Sequence, residues 1–156
     1  MQKIIPFLWF DNQAEEAAKF YTSIFKNSKI GAISRYGEGG TAPAGSVLTV
    51  EFELDGLSFV ALNGGPMFKF TEAISMQIAC ETQEEVDSFW SKLTADGGQP
   101  GQCGWLKDRF GMSWQVTPTA LPQLLKQPDA EKASRVMQAM MQMAKIDIAE
   151  LERAAA

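Results

Sequence analysis

The sequence predicts an α+β fold of two similar halves followed by C-terminal helices, because a helix pattern, a strand pattern and a short motif each occur twice. In the helical segments 10–25 and 80–93, Glu15-Glu16 recurs as Glu84-Glu85, 69 residues later. Short apolar runs, KIIPFLWF and ISMQIAC, precede the two helices, and further strand-like runs follow them. The motif GLSFVA also recurs as GMSWQV. We expect the two halves to build one curved mixed sheet.

The boundaries of these parts follow from the same patterns. We predict a single domain, 1–156, with a first module at about 1–66, a second at about 67–120 and a helical tail at about 121–156. Asp11 or Asn12 is placed to cap the first helix. The tail is predicted to be helical from Asp129, with an apolar, methionine-rich stripe, and Asp147 can cap a last short helix.

Composition excludes several function classes. The net charge of −5 and the absence of clustered Lys and Arg argue against nucleic acid and against an anionic membrane surface. No apolar run approaches the roughly 20 residues that span a bilayer, so we expect a cytosolic protein. Cys80 and Cys103 are then expected to be free thiols. The absence of histidine excludes a histidine-dependent triad.

Four segments carry a resemblance to a known family: PFLWFDNQAEEAAKFYTSIF, LNGGP, CGWLKDRFGMSWQVTP and QAMMQMAKIDIAELE. The chain resembles the vicinal oxygen chelate superfamily of glyoxalases, extradiol dioxygenases and bleomycin-resistance proteins. Within it, the chain is similar to the PhnB-like branch, which is labelled demethylubiquinone methyltransferase-like. The resemblance implies two paired βαβββ modules around a cavity, and it favours a homodimer.

The resemblance also implies where metal ligands would lie. The corresponding positions are Pro6 or Leu8, Val60, Ser75 or Gln77, and Gln115. A catalytic divalent metal needs at least three good ligands, and this set offers apolar, hydroxyl and amide groups. We therefore expect no metal and no cofactor, and a pocket with apolar walls and a few polar groups instead.

Alternation along the strands selects the residues of that pocket. Ser113, Gln115 and Thr117 share one face of their strand, and Ser75 and Gln77 share a face of another. Buried glutamines also serve as purely structural hydrogen-bonding groups, which is the alternative for both. The predicted ligand-binding residues are Gln115, Gln77, Ser75, Ser113, Thr49, Trp105 and Cys103.

The remaining candidates have two interpretations each. Glu51 lies either on the exposed face of an edge strand or inward with Thr49, where burial would suit it to act as a general base. Trp105 is placed to stack on a flat ligand, and Cys103 is a reactive thiol or a core residue. The segment 107–109 is expected to be a solvated turn.

Two functions compete at this point. The first is a metal-free protein that binds a small organic molecule. The second is an enzyme of the same fold, glyoxalase-like, dioxygenase-like or methyltransferase-labelled, that acts on a small aromatic or quinone-like substrate and uses either Glu51 or an unusual metal. Methyl transfer has no support in the residues, because the chain lacks the glycine-rich turn that nucleotide-like cofactors use.

Overall fold

A computed structural model describes all of residues 1–156, and the chain forms two compact units, Met1–Lys69 and Phe70–Ala156. Each unit contains one four-stranded mixed sheet with a helix after its first strand. The predicted α+β class and the βαβββ modules are confirmed, although the strands pair as two four-stranded sheets and not as the one sheet that was expected. No helix is long and apolar enough to cross a membrane.

The first unit holds one helix and four strands. Its elements are β1 (Phe7–Phe10), α1 (Ala14–Ile24), β2 (Lys29–Arg35), β3 (Val47–Leu54) and β4 (Leu57–Asn63). The strand order is β1-β4-β3-β2, with β1 parallel to β4 and the other pairs antiparallel. Strand β2 was not predicted, because its side chains are largely exposed and give no apolar pattern.

The second unit repeats this plan and adds the tail. Its elements are β5 (Ser75–Cys80), α2 (Gln83–Thr94), β6 (Gln99–Pro100), β7 (Trp105–Lys107), β8 (Ser113–Pro118), α3 (Ala120–Leu125), α4 (Ala130–Met141) and α5 (Ile148–Ala155). The strand order is β5-β8-β7-β6, so the central strand β8 corresponds to β4. The short α3 was not predicted.

Each sheet buries one face against its helix. In the first unit, Tyr21 of α1 stacks on Phe52 with ring centroids 6.1 Å apart, and Phe52 stacks on Phe59 at 5.3 Å. In the second unit, Val86 and Leu93 of α2 are fully buried. Because side chains alternate along a strand, every second side chain projects from the face that is turned away from the helix.

The cap of α1 differs from the prediction, which named Asp11 or Asn12. The Oδ1 atom of Asn63, at the end of β4, accepts a hydrogen bond from the Ala14 N–H at 2.8 Å. The amide nitrogen of Asn63 donates to the Val47 carbonyl at 3.1 Å. Strand β1 pairs with β4 up to this residue, which places Asn63 beside the start of the helix. The prediction was wrong because the capping group comes from a neighbouring strand.

The two halves repeat with a one-residue difference between strands and helices. Phe7 pairs with Val60 in the first sheet, whereas Gln77 pairs with Gln115 in the second. Phe7 is therefore the counterpart of Gln77, 70 residues away, although the helices repeat at 69. Leu8 lies on the opposite, buried face, so its proposed place in a ligand set was wrong.

The tail packs on the second unit around its own small core. That core consists of Leu121, Val136, Ile146 and Leu151. Asp147 accepts a hydrogen bond from a backbone N–H group at the start of α5, as predicted, and Asp129 does the same at the start of α4, a cap that was not predicted. The carbonyls of Met143 and Ala144 accept hydrogen bonds from the N–H groups of Cys103 and Gly104, both at 2.8 Å.

We predict that Asn63→Ala lowers the free energy of unfolding by about 1–3 kcal/mol, because it removes the cap of α1 and a bond to β3. Asn12→Ala is the matched control and should change it by less than about 0.5 kcal/mol, since Asn12 is exposed. Urea unfolding followed by circular dichroism measures both. Equal effects of the two substitutions would contradict the assigned cap.

Candidate functional site

The polar face of the second sheet brings five of the sequence-predicted residues together with Lys107, in two rows across β5, β8 and β7. The first row is Ser75, Ser113 and Lys107, and the second is Gln77, Gln115 and Trp105. Paired residues project from the same face, with Cβ atoms about 4.5–5.5 Å apart across an antiparallel pair. The predicted alternation in β5 and β8 is confirmed, and the apolar partners Ile78, Trp114 and Val116 are buried on the other face. We refer to these two rows as the polar face.

Hydrogen bonds hold both glutamine amides along diagonals of the polar face. Gln115 Nε2 donates to Ser75 Oγ at 2.9 Å, and Gln77 Nε2 lies 3.5 Å from Thr117 Oγ1. Each of the two amide nitrogens thus makes a structural hydrogen bond, which was the alternative to ligand binding. The carbonyl oxygens of the two amides have no hydrogen bond within the chain, so they remain available as acceptors.

Ser113 is the unusual member of the first row. Its side chain is 1% exposed, and its Oγ has no hydrogen-bond partner within the chain. A buried hydroxyl without a partner costs about 1–3 kcal/mol, so such groups are rare in folded proteins. No hydrogen bond joins it to its neighbour Ser75, whose Oγ accepts from Gln115. The hydroxyl of Ser113 is therefore a free donor and acceptor on the polar face.

Lys107 and Glu72 form an ion pair at the end of the first row. Glu72 precedes β5, and its side chain is 59% exposed. The hydrogen bond from the Lys107 ammonium holds the pKa of the Glu72 carboxyl below its usual value. Sequence reasoning missed both residues. Alternation from Trp105 would have placed Lys107 on the polar face, had β7 been recognised as a strand.

Trp105 and Cys103 separate in the structure. Trp105 opens β7, is partly exposed and lies beside Gln115 on the polar face. Cys103 lies in the preceding turn with a positive φ of 58°. Its N–H donates to the carbonyl of Met143, so its backbone attaches the tail. Both cysteines are free thiols, as predicted.

The first unit carries a shallow cavity of about 320 Å³ on the face of its sheet that turns away from α1. The lining residues are Ile5, Lys29, Gly31, Glu51, Phe52, Glu53, Ser58, Phe59 and Val60. Glu51 pairs with Val60 but is exposed, so the burial that its role as a general base required is absent. Strand β3 is also not an edge strand, because β2 flanks it. Thr49, on the same face, has its hydroxyl 2.5 Å from that of Ser34.

The positions that correspond to superfamily metal ligands do not fit a metal. The strand register puts Phe7 in the place given to Pro6 or Leu8, and the other positions are Val60, Gln77 with Ser75 as its alternative, and Gln115. Two of these positions carry hydrocarbon side chains, and the others carry neutral amides or a hydroxyl. No three His, Cys, Asp or Glu residues lie close enough to hold an ion. A divalent metal site would need anionic or imidazole ligands that these positions lack.

The segment 107–109 is not the solvated turn that the sequence analysis expected. Asp108 is 2% exposed. Its Oδ1 accepts hydrogen bonds from the N–H groups of Phe110 and Met112, and its Oδ2 accepts one from Trp114 Nε1 at 2.9 Å. The carboxylate thus closes the turn between β7 and β8. Arg109 is also half-buried, with a contact of 3.7 Å to Asp96.

Comparison with known proteins gives one family match and several structural relatives. A family model described as 3-demethylubiquinone-9 3-methyltransferase matches residues 2–117. The chain is 40% identical to a PhnB protein from Bacillus cereus, over 76% of this chain and 100% of that chain, with a TM-score of 0.69. No curated protein matches.

Two further structures share the fold at lower identity. Protein PA1353 from Pseudomonas aeruginosa is 19% identical over 76% of this chain and 98% of its own, with a TM-score of 0.61. The fosfomycin resistance protein FosX from Listeria monocytogenes is 14% identical over 79% of this chain and 97% of its own, with a TM-score of 0.53. The polar face lies within residues 2–117, whereas α3, α4 and α5 lie beyond them.

We predict that Asp108→Asn lowers the free energy of unfolding by about 2 kcal/mol or more, because an amide nitrogen would face one of three N–H donors. Asp11→Asn is the control and should be nearly neutral, since Asp11 is exposed. Urea denaturation of both variants gives the comparison. A neutral Asp108→Asn would show that this carboxylate does not hold the turn.

A second prediction concerns the two thiols. Burial, with a smaller contribution from Glu85, raises the pKa of Cys80 to about 11, so only about one molecule in a thousand carries that thiolate at pH 8. Iodoacetamide at pH 8 should therefore modify Cys103 alone in the native protein and both cysteines in urea, as read by peptide mass spectrometry. Native labelling of Cys80 should appear only as the pH rises toward 11. Labelling of Cys80 at pH 8 at the rate of Cys103 would contradict this assignment.

Proposed function

This chain belongs to the 3-demethylubiquinone-9 3-methyltransferase family, the PhnB-like branch of the vicinal oxygen chelate superfamily, and we propose that it binds a small organic molecule without a metal. The binding surface in this proposal is the polar face of the second sheet. The buried, unpartnered hydroxyl of Ser113 is the observation that carries the proposal. A ligand that bonds this hydroxyl would remove the cost of leaving it unpaired.

Neighbouring groups support the same surface. The carbonyl oxygens of Gln77 and Gln115 supply acceptors, and the serines of the first row supply donors. Trp105 adds a flat apolar surface next to Gln115, suited to an aromatic or other planar ligand. A few fixed polar groups beside an aromatic side chain are typical of small-molecule sites. The proposal includes no metal, because the four ligand-equivalent positions do not fit one.

A second candidate is an enzyme of the same fold that acts on a small aromatic or quinone-like substrate. The cavity of about 320 Å³ in the first unit, with the Glu51 carboxylate in its lining, is the observation that favours it. Methyl transfer itself has weaker support. None of the connections from β1 to α1, β5 to α2 or β8 to α3 contains a glycine, so a glycine-rich cofactor turn has no place there.

We also propose that the chain acts in the cytosol as a homodimer. Exposed methionines on the tail, Met137 at 41% and Met141 at 58%, offer adaptable apolar contacts for a second copy. Light scattering coupled to size exclusion would test the pairing, and a monomer at all concentrations would contradict it.

The test of the binding proposal is a fragment titration on 15N-labelled protein. Planar aromatic fragments should shift the side-chain amide signals of Gln77 and Gln115. Gln115→Val, which gives the second sheet the residue of the first sheet at this place, should weaken the best fragment about 10-fold, the value of one hydrogen bond. Glu51→Gln is the control and should leave its affinity unchanged.

Two results would overturn the proposal. The first is a turnover that Glu51→Gln abolishes while affinity is kept, which would favour the enzyme. The second is a metal found near one per chain by elemental analysis that also raises the melting temperature when zinc, nickel, manganese or iron is added. The first result would show an enzyme, and the second would show a protein that binds a metal.

A further inference from the structure

The first row of the polar face concentrates hydrogen-bond donors at one place. Ser113 lies between Ser75 on β5 and Lys107 on β7, in register with both. Ser75 Oγ accepts from Gln115, so its own hydrogen is left to donate. Ser113 has an unpartnered hydroxyl, and Lys107 has three N–H donors. The only acceptor that meets this row from outside the strands is Glu72.

The donors of the first row determine which chemical group would bind there. Three donors in a row, one of them a cation, call for a group with two acceptor oxygens and a negative charge. A carboxylate meets that description, and its hydrogen bonds to charged and neutral donors are among the strong ones. A neutral amide would offer one acceptor and would leave the ammonium without a counter-charge. The carboxylate of Glu72 already shows that Lys107 takes such a group.

We propose that Ser75, Ser113 and Lys107 form the subsite for the carboxylate of a small organic ligand. In the free protein the Glu72 carboxylate pairs with the Lys107 ammonium, and the ligand carboxylate replaces it. This inference rests on the proposed function and names the chemical class of its ligand. Glu72 suits the role of a displaceable group, because its side chain is 59% exposed and it belongs to neither β5 nor β7. Exposed ion pairs of this kind contribute little, so their exchange costs little.

The second row defines the rest of the ligand. Trp105 lies two residues from Lys107 along β7, on the same face. That separation is about 6.5–7 Å in a strand, close to the span of an aromatic ring with its carboxylate. A ligand carboxylate bound in the first row would therefore place its ring beside Trp105 and Gln115. The subsite thus favours aromatic or planar carboxylates over aliphatic ones.

The test uses a matched pair of probes, benzoate and benzamide, titrated into wild-type protein and variants at low salt. The wild type should bind benzoate about 10-fold more tightly than benzamide, the value of one charge-assisted hydrogen bond. Lys107→Gln should abolish that preference, whereas Lys107→Arg should keep most of it. Added NaCl should weaken benzoate binding and leave benzamide binding unchanged.

Glu72→Gln is the decisive variant, because it frees the Lys107 ammonium and should tighten benzoate about 3-fold. Glu150→Gln is its control: it also removes one negative charge and one ion pair, with Arg153 in the tail, and should leave affinity unchanged. Ser113→Ala should weaken both probes, since either can bond the hydroxyl. Side-chain amide shifts of Gln77 and Gln115 report the location of binding.

The outcomes separate this inference from the proposed function. If benzamide binds at the polar face as tightly as benzoate, or Glu72→Gln fails to tighten benzoate more than Glu150→Gln does, the carboxylate subsite is wrong and the binding surface stands. If neither probe nor any other planar fragment shifts the two glutamine signals, the proposed function fails together with the subsite.

Discussion

Burial of one face of the central strands β4 and β8 is the constraint on which the other features depend. Side chains alternate along a strand, so a slip of one residue would carry Phe59 in β4 or Trp114 in β8 from its helix into water. Burying one large apolar side chain is worth about 1.5–3 kcal/mol, and several would move together. That sum is comparable to the whole stability of a domain. The register is therefore fixed, and with it the equivalent places of Val60 and Gln115.

Properties that depend on this alternation were predictable from the sequence, and properties that depend on distant partners were not. The shared face of Gln77 and Gln115 follows from period-two spacing alone. Leu8 was assigned to the wrong face because the connection from β1 to α1 has three residues and that from β5 to α2 has two, so the helix offset does not apply to the strands. The residue that caps α1 is Asn63 at the end of β4, and the local sequence of α1 gives no information about that strand.

Asp108 and Glu72 are two carboxylates near the polar face whose roles differ because their burial differs. Asp108 is enclosed and receives three N–H groups, so it fixes the turn that separates β7 from β8 and thereby the place of Lys107. Glu72 is more than half exposed and has Lys107 as its ionic partner. Both looked alike in the sequence, as acidic residues near loops. Their different surroundings make one a structural element and leave the other free to exchange.

The attachment of the tail has a consequence for where this domain ends. The family match stops at residue 117, yet the N–H groups of Cys103 and Gly104 bond carbonyls at Met143 and Ala144. A Cβ on Gly104 would lie 2.9 Å from the Val116 carbonyl oxygen and 3.0 Å from Ile146, so the turn before Trp105 has the shape that the tail requires. A protein trimmed to the matched region would leave the N–H groups of Cys103 and Gly104 without these carbonyl partners. Residues beyond the family boundary thus support the turn before Trp105.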